Sequence, residues 1–298
     1  MYSDNTRAAL FMLLAMAGFV VNDSFVKLAS PAIPPVQIMA IRGVACAVFL
    51  FVLAWGLKAL RPLRDALSPR LLLRTAADIM ATLCYITALG QMPLANASAI
   101  FQALPLTVTL GAALFLGEAV GWRRWTAIAV GFLGVMIIVR PGTEGFTIYS
   151  VAVLASVAFS AIRDLSTRRM DRAVPSIYIA LVTSIAVSLV GWLLLPLSGG
   201  WQPVSAVNLV NLVFAAAAIA VGYIFIVQAM RTGDMGFVAP FRYSILLYAL
   251  VIGYIVFGDL PSPLTLLGAT IVVASGIYTL YRERLRGAVK LPPTQQVH

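Results

Sequence analysis

The chain has 298 residues, 61% of them hydrophobic and only 11% charged. Its mean hydropathy of +0.96 excludes an ordinary soluble domain, in which about half the residues are apolar and about a quarter charged. The net charge of +10 points to membrane loops rather than nucleic acid, because the cations flank apolar runs and no basic cluster is interleaved with aromatics.

In chain order, polar punctuation predicts ten spans, over residues 8–29, 36–57, 70–92, 95–116, 123–140, 147–169, 175–196, 206–230, 235–257 and 262–281. Each is a continuous apolar run near the ~20 residues that a helix needs to cross hydrocarbon. None alternates with period two, which sets aside a barrel. The expected fold is an all-α polytopic membrane protein. Arg7 followed by Ala8 to Val21 has the look of a signal peptide but is too long an apolar stretch, so it is read as a retained first span. Cys46 and Cys84 both fall inside apolar runs and suggest buried thiols, not a disulfide framework.

With the N-terminus inside, seventeen Lys and Arg fall on the inner side and only Lys27 and Arg140 on the outer, which places both termini in the cytoplasm. The five tryptophans lie near span ends, at headgroup level. The two halves match at an offset of 141 positions: Asp23 answers Asp164, Lys27 answers Arg168, Pro34 answers Pro175, Gly117 answers Gly258, and Glu118 answers Asp259. An odd number of spans per half forces the second half to enter the membrane from the opposite side. The chain therefore divides into a five-helix unit over 1–142, an inverted five-helix unit over 143–281, and a basic tail over 282–298 expected to be disordered. Inverted repeats are a recurring plan of secondary transporters.

These repeats, with Gly117-Glu118 and Gly258-Asp259 closing the fourth and ninth spans, resemble the drug/metabolite transporter superfamily, in its ten-helix branch of two EamA units. The resemblance covers about residues 8–281, and within the branch it looks most like the YddG-type amino-acid exporters. It implies a transporter and not an enzyme. It also implies that spans 1, 3, 4, 6, 8 and 9 surround a central cavity, with spans 5 and 10 further out.

Ionisable groups inside a membrane are costly, so each is a functional candidate. Asp78 lies in the third span, with Arg74, Thr82 and Tyr85 at three- and four-residue steps on the same face. Its competing roles are a local Arg74–Asp78 salt bridge and a site for a substrate amine or a proton. Arg242, with Tyr243 and Ser244, follows Pro240 in the ninth span. Gln102, the repeat counterpart of Tyr243, precedes Pro105 in the fourth. Proline removes a backbone donor, and freed backbone at membrane depth is tolerated where it lines a cavity. Arg242 is either a grip for a carboxylate or a structural arginine. Asn22 and Tyr223, the counterpart of Thr82, complete the candidate binding set. Arg42 is read as snorkelling outward. Asp23–Lys27 and Asp164–Arg168 are read as structural i,i+4 pairs, and Glu118 and Asp259 as loop braces.

The one histidine, His298, is the last residue, so no histidine relay exists. No His/Cys/Asp cluster suits a metal, no G-x-x-x-x-G-K-[ST] loop suits ATP, and no cofactor is implied. The reading is an inner-membrane exporter of amino acids or similar small metabolites, working by alternating access among membrane lipids. Transport of phosphorylated or nucleotide-linked sugars, and lipid flipping, are the alternatives.

Overall fold

The computed structural model describes residues 4–117, 121–141, 146–170, 173–232 and 235–289. The expected division at 142/143 lies outside the described residues, as do Glu118 and the end of the tail. Ten helices are long and apolar enough to cross a membrane, and no strand occurs among the described residues. Span 1 is Asp4–Ala29, span 2 Pro35–Gly56 and span 3 Pro69–Leu89. Span 4 is Leu94–Phe101 and Leu104–Phe115, span 5 Trp122–Val139 and span 6 Ile148–Arg168. Span 7 is Ser176–Leu194, with a 3-10 turn Leu195–Ser198, and span 8 is Ala206–Thr232. Span 9 joins Met235–Val238, a 3-10 segment Ala239–Tyr243 and Ser244–Phe257, and span 10 is Pro263–Val289.

Local chemistry sets the ends. Pro35 and Pro69 open spans 2 and 3, where a missing N–H costs nothing. Gly117 and Gly258, at matching positions after spans 4 and 9, both adopt positive φ, 67° and 68°, a conformation that a side chain would strain. The predicted interruptions at Pro105 and Pro240 are real: span 4 breaks at Gln102–Ala103, and span 9 tightens into its 3-10 segment. In each case the proline ring displaces the preceding turn and restarts the helix. The tail departs from expectation. Residues 282–289 continue span 10 as helix, because Arg, Glu and Leu are good helix formers.

Packing follows the repeat. Span 1 lies along span 8 and span 3 along span 6; span 2 lies along span 7, span 5 along span 10, and span 4 touches span 9. Exchanging spans 1–5 for 6–10 maps these contacts onto one another. Spans 5 and 10 cross where Gly134 meets Gly268; a Cβ on either would come within 2.8 Å of the other's carbonyl oxygen.

Hydrogen bonds identify the two ends of the bundle. At the end where span 1 finishes (the distal end), Lys27 bonds the Met92 carbonyl and Asp259, and buried Gln37 exchanges two bonds with the Gln202 backbone. At the end where span 1 starts (the proximal end), Arg61 bonds the Ala173 carbonyl, Arg70 that of Arg169, Tyr178 that of Pro62, and Arg169 that of Phe115. The stretch at Phe115, just before Gly117, and the stretch at Asp259, just after Gly258, thus lie at opposite ends, as inversion requires.

Candidate functional site

Two polar clusters sit within the bundle, one toward each end. The proximal cluster centres on Arg163 of span 6. Its Nη1 donates to Asp78 Oδ1 of span 3 at 2.8 Å, and its Nε donates to Asp164 Oδ1 at 2.9 Å. Asp78 is the tenth of 21 residues in its helix, near mid-span, and is buried. Arg74, one turn earlier, does not pair with Asp78. It donates to Thr167 at 3.0 Å and to Thr183 of span 7 at 2.5 Å. The expected Arg74–Asp78 bridge is therefore replaced by a bridge between spans, because span 6 packs along span 3 and brings a second guanidinium onto the carboxylate. The phenol of Tyr223, half-buried on span 8, lies within electrostatic reach of Asp78, Arg163 and Arg74. The two carboxylates and two guanidiniums balance, which is what a low-dielectric site demands.

In the distal cluster, Asp23 of span 1 accepts from the Tyr85 hydroxyl at 2.9 Å and from the Asn22 amide at 2.8 Å. Arg42 of span 2 donates to Asn22 Oδ1 at 2.8 Å. It turns inward to span 1, against the expectation of snorkelling, since span 2 meets the interior face of the bundle. Asp23 does not pair with Lys27, which reaches instead to Asp259 at 2.9 Å and lies 4.7 Å from the centre of the Phe257 ring. Asp259 is thus the brace it was read to be. Asp164 bonds Arg163 beside it, and the Arg168 side chain lies outside the described structure.

The helix breaks hold the remaining candidates. Gln102 is buried at the break of span 4, with its Nε2 unpartnered among the described residues. Tyr243, also buried, points its hydroxyl into the notch at Gly276 of span 10 and has no hydrogen-bond partner there. Ser244 Oγ is likewise unsatisfied. Arg242 is half-buried, and no described carboxylate pairs with it. Thr82 is half-buried one turn beyond Asp78, and Tyr85 packs edge-on against Phe101 at 5.1 Å.

The structure thus brings Asp78 and Tyr223 together, and separately Asn22 and Tyr85. It leaves Gln102 and the Arg242–Ser244 run at the breaks. Arg163, which joins Asp78 to Asp164, is the central residue of this cluster that the sequence reading did not single out as a candidate. The signal was present: residue 163 stands 141 positions after Asn22, which was already a candidate.

Ten spans in exchangeable units, with ionisable side chains paired inside the bundle, are the plan of a membrane transporter. The EamA-like transporter family matches residues 6–140 and again 147–281, and the chain belongs to that family. The pseudopaline exporter CntI of Pseudomonas aeruginosa is 28% identical over 281 residues, covering 90% of this chain and 94% of the relative. An S-adenosylmethionine uptake transporter of Rickettsia conorii is 24% identical, covering 92% of each chain. A riboflavin transporter of Vibrio cholerae is 27% identical, covering 90% of this chain and 91% of the relative. A solved crystal structure matches with a TM-score of 0.64 at 18% identity, over 94% of this chain and 99% of the other, a likeness of fold. The chain is accordingly a transporter of small metabolites.

Proposed function

We propose that this protein exports amino acids or similar zwitterionic metabolites across an inner, plasma-type membrane by alternating access, with both termini in the cytoplasm. One observation carries the reading: Arg163 is shared by two carboxylates at the heart of the bundle. A zwitterion exchanges with such an arrangement at little electrostatic cost. Its ammonium takes Asp78 as Arg163 swings away, and its carboxylate takes Arg163, so no charge is left unpaired in low dielectric. Asn22, Thr82, Tyr85, Gln102, Tyr223, Arg242, Tyr243 and Ser244 line the rest of the route, with Arg242 as a second anion contact. The named cargoes of the relatives support a small polar substrate; S-adenosylmethionine itself carries an ammonium and a carboxylate.

Alternating access is supported by the exchange of contacts between the two five-span units, which lets one shape face either side at similar energy. The positive-inside bias supports the orientation.

The test is flux of labelled amino acids in liposomes of known protein orientation. Asp78→Asn and Arg163→Gln are each expected to lower flux at least tenfold, and Arg242→Gln to lower it less. Wild-type flux in the first two variants removes the zwitterion site. Flux only toward the side of the termini reverses the direction proposed.

A further inference from the structure

Asp23 of span 1, Asp78 of span 3 and Asp164 of span 6 all lie within the bundle, and they differ in what compensates them. Asp78 and Asp164 each accept directly from the Arg163 guanidinium, at 2.8 and 2.9 Å. Asp23 forms no ion pair among the described residues. Its Oδ1 accepts from the Asn22 amide and its Oδ2 from the Tyr85 hydroxyl, both neutral donors. Positions 22 and 163 correspond in the repeat, as do 23 and 164. In each half the first side chain donates to Oδ1 of the aspartate that follows it, at 2.8 Å and 2.9 Å. The donor is an amide in one half and a guanidinium in the other. The first half keeps the geometry and drops the cation.

The charged and titratable groups that act on Asp23 are Arg42 of span 2 and Tyr85 of span 3. Arg42 bonds Asn22 rather than the carboxylate, donating to the amide oxygen at 2.8 Å. Lys27, one turn further along span 1, is taken by Asp259 and the Met92 carbonyl. Spans 8 and 9 also pack along span 1; among their described side chains they carry Tyr223, Arg242, Tyr243, Tyr248 and Tyr254, and none of these acts on Asp23. A carboxylate held by neutral donors takes up a proton at less cost than one that neutralises a guanidinium, because no paired cation is stranded. The site also has partners for both states. Ser98, buried on the first segment of span 4, lies beside the Tyr85 hydroxyl, and its Oγ has no hydrogen-bond partner. With Asp23 charged, Tyr85 donates to it. With Asp23 protonated, the acid O–H donates to the Tyr85 oxygen and the phenol turns to donate to Ser98.

We propose that Asp23 binds a proton that moves inward in exchange for each exported zwitterion. The proposal rests on the export reading above and adds its energy source. Asp23 is half-buried toward the distal, outward end of span 1, where the proton enters. It leaves toward the proximal side once the distal end has closed. Carboxyl groups inside a bundle are suited to such relays. Proton and cargo use separate residues, so the charges around Arg163 stay balanced whether Asp23 is loaded or empty.

The experiment uses the full-length protein in liposomes of known orientation, with the membrane potential clamped. A pH difference of about one unit, acid on the distal side, is expected to concentrate labelled amino acid about tenfold on that side, one proton exchanging for each zwitterion. Asp23→Asn is expected to abolish the accumulation while the purified variant still binds the amino acid, which also shows that it folds. Wild-type exchange of labelled for unlabelled amino acid that no pH gradient turns into accumulation overturns the proton site and leaves the export reading standing. Accumulation that persists in Asp23→Asn overturns the site as well. Absence of any exchange in wild type removes the export reading and the proposal with it. A second measurement needs no cargo. Infrared difference spectra between acidic and alkaline buffer should show a protonated-carboxyl band that Asp23→Asn lacks and that persists to higher pH in Arg42→Gln, since removing a nearby cation favours the neutral acid. If Asp23→Asn does not fold, that upward shift in Arg42→Gln must appear, or the proposal fails.

Discussion

The two ends of the bundle make the same contacts with different chemistry. At the distal end, span 1 meets span 9 through the Lys27–Asp259 ion pair, which the Phe257 ring and the Met92 carbonyl reinforce. At the proximal end the described contact of span 6 with span 4 is an exposed Arg169 guanidinium on the Phe115 carbonyl; Glu118 and the Arg168 side chain, the repeat counterparts of Asp259 and Lys27, lie outside the described structure. Spans 2 and 7 repeat the contrast. Gln37 clamps Gln202 by two bonds, where its counterpart Tyr178 holds Pro62 by one. The polar clusters differ in the opposite sense. Proximally, two arginines and two carboxylates form a network; distally, one carboxylate is held mainly by neutral donors. A repeat can therefore conserve packing while its described side-chain contacts change, as the span 2–span 7 clamps and the two polar clusters do.

The clusters provide the largest test of that contrast. Arg163→Gln strands Asp78 and Asp164 without a cation and is expected to cost about 3–5 kcal/mol of stability, the range for breaking a buried ion pair. Arg42→Gln removes one hydrogen bond to Asn22 and is expected to cost about 1–2 kcal/mol. Thermal unfolding of both variants in one detergent measures the difference. Equal losses would mean that the two clusters are energetically alike despite their charges.

Part of this was legible in the sequence and part was not. Apolar runs located all ten spans, and Pro105 and Pro240 located both breaks, because span length and proline chemistry act locally. The offset of 141 exposed the inversion through Gly117 and Gly258. Partners across spans were hidden. Spacing offers Asp78 only Arg74, four residues away, as one of two open readings, yet its cation is 85 residues on; it pairs Lys27 with Asp23, yet the anion of Lys27 lies 232 residues on. The i,i+4 rule holds for an isolated helix surface, but in a bundle a facing helix offers a partner that is better shielded from water. Arg42 failed for the same reason: a lone arginine near a span end reads as snorkelling until a neighbour's amide is placed beside it.

The clamps of spans 2 and 7 give a middle-sized test. Gln37→Ala leaves the Gln202 N–H and C=O without their side-chain partner and is expected to cost about 1–3 kcal/mol. Tyr178→Phe removes one bond to Pro62 and keeps the ring, for about 1 kcal/mol or less. Hydrogen exchange should sharpen the result: the loop before span 8 should lose protection in Gln37→Ala, with the loop before span 3 unaffected. The reverse pattern would place the firmer clamp at the proximal end.

Among the described contacts the smallest expected energies belong to those that join spans 1 and 9 and spans 6 and 4, yet on the proposed alternating-access reading they bear most directly on the cycle. The side chains of Lys27 and Asp259 are 13% and 32% exposed, so solvent screens the pair and its contribution is about 1 kcal/mol. The exposed Arg169–Phe115 contact contributes less still. A change of 1 kcal/mol nevertheless shifts a two-state population about fivefold. Lys27→Met should raise the reactivity of a reporter cysteine at the distal end of span 9 toward membrane-impermeant reagents, with little change in melting temperature. Arg169→Gln should raise proximal reactivity by a smaller factor. Lys27→Asp combined with Asp259→Lys restores the pair in reverse and should return distal reactivity to the wild-type level. Failure of that rescue, with Lys27→Met behaving as described, would assign the seal to the Met92 carbonyl bond and the Phe257 ring instead of the charge pair.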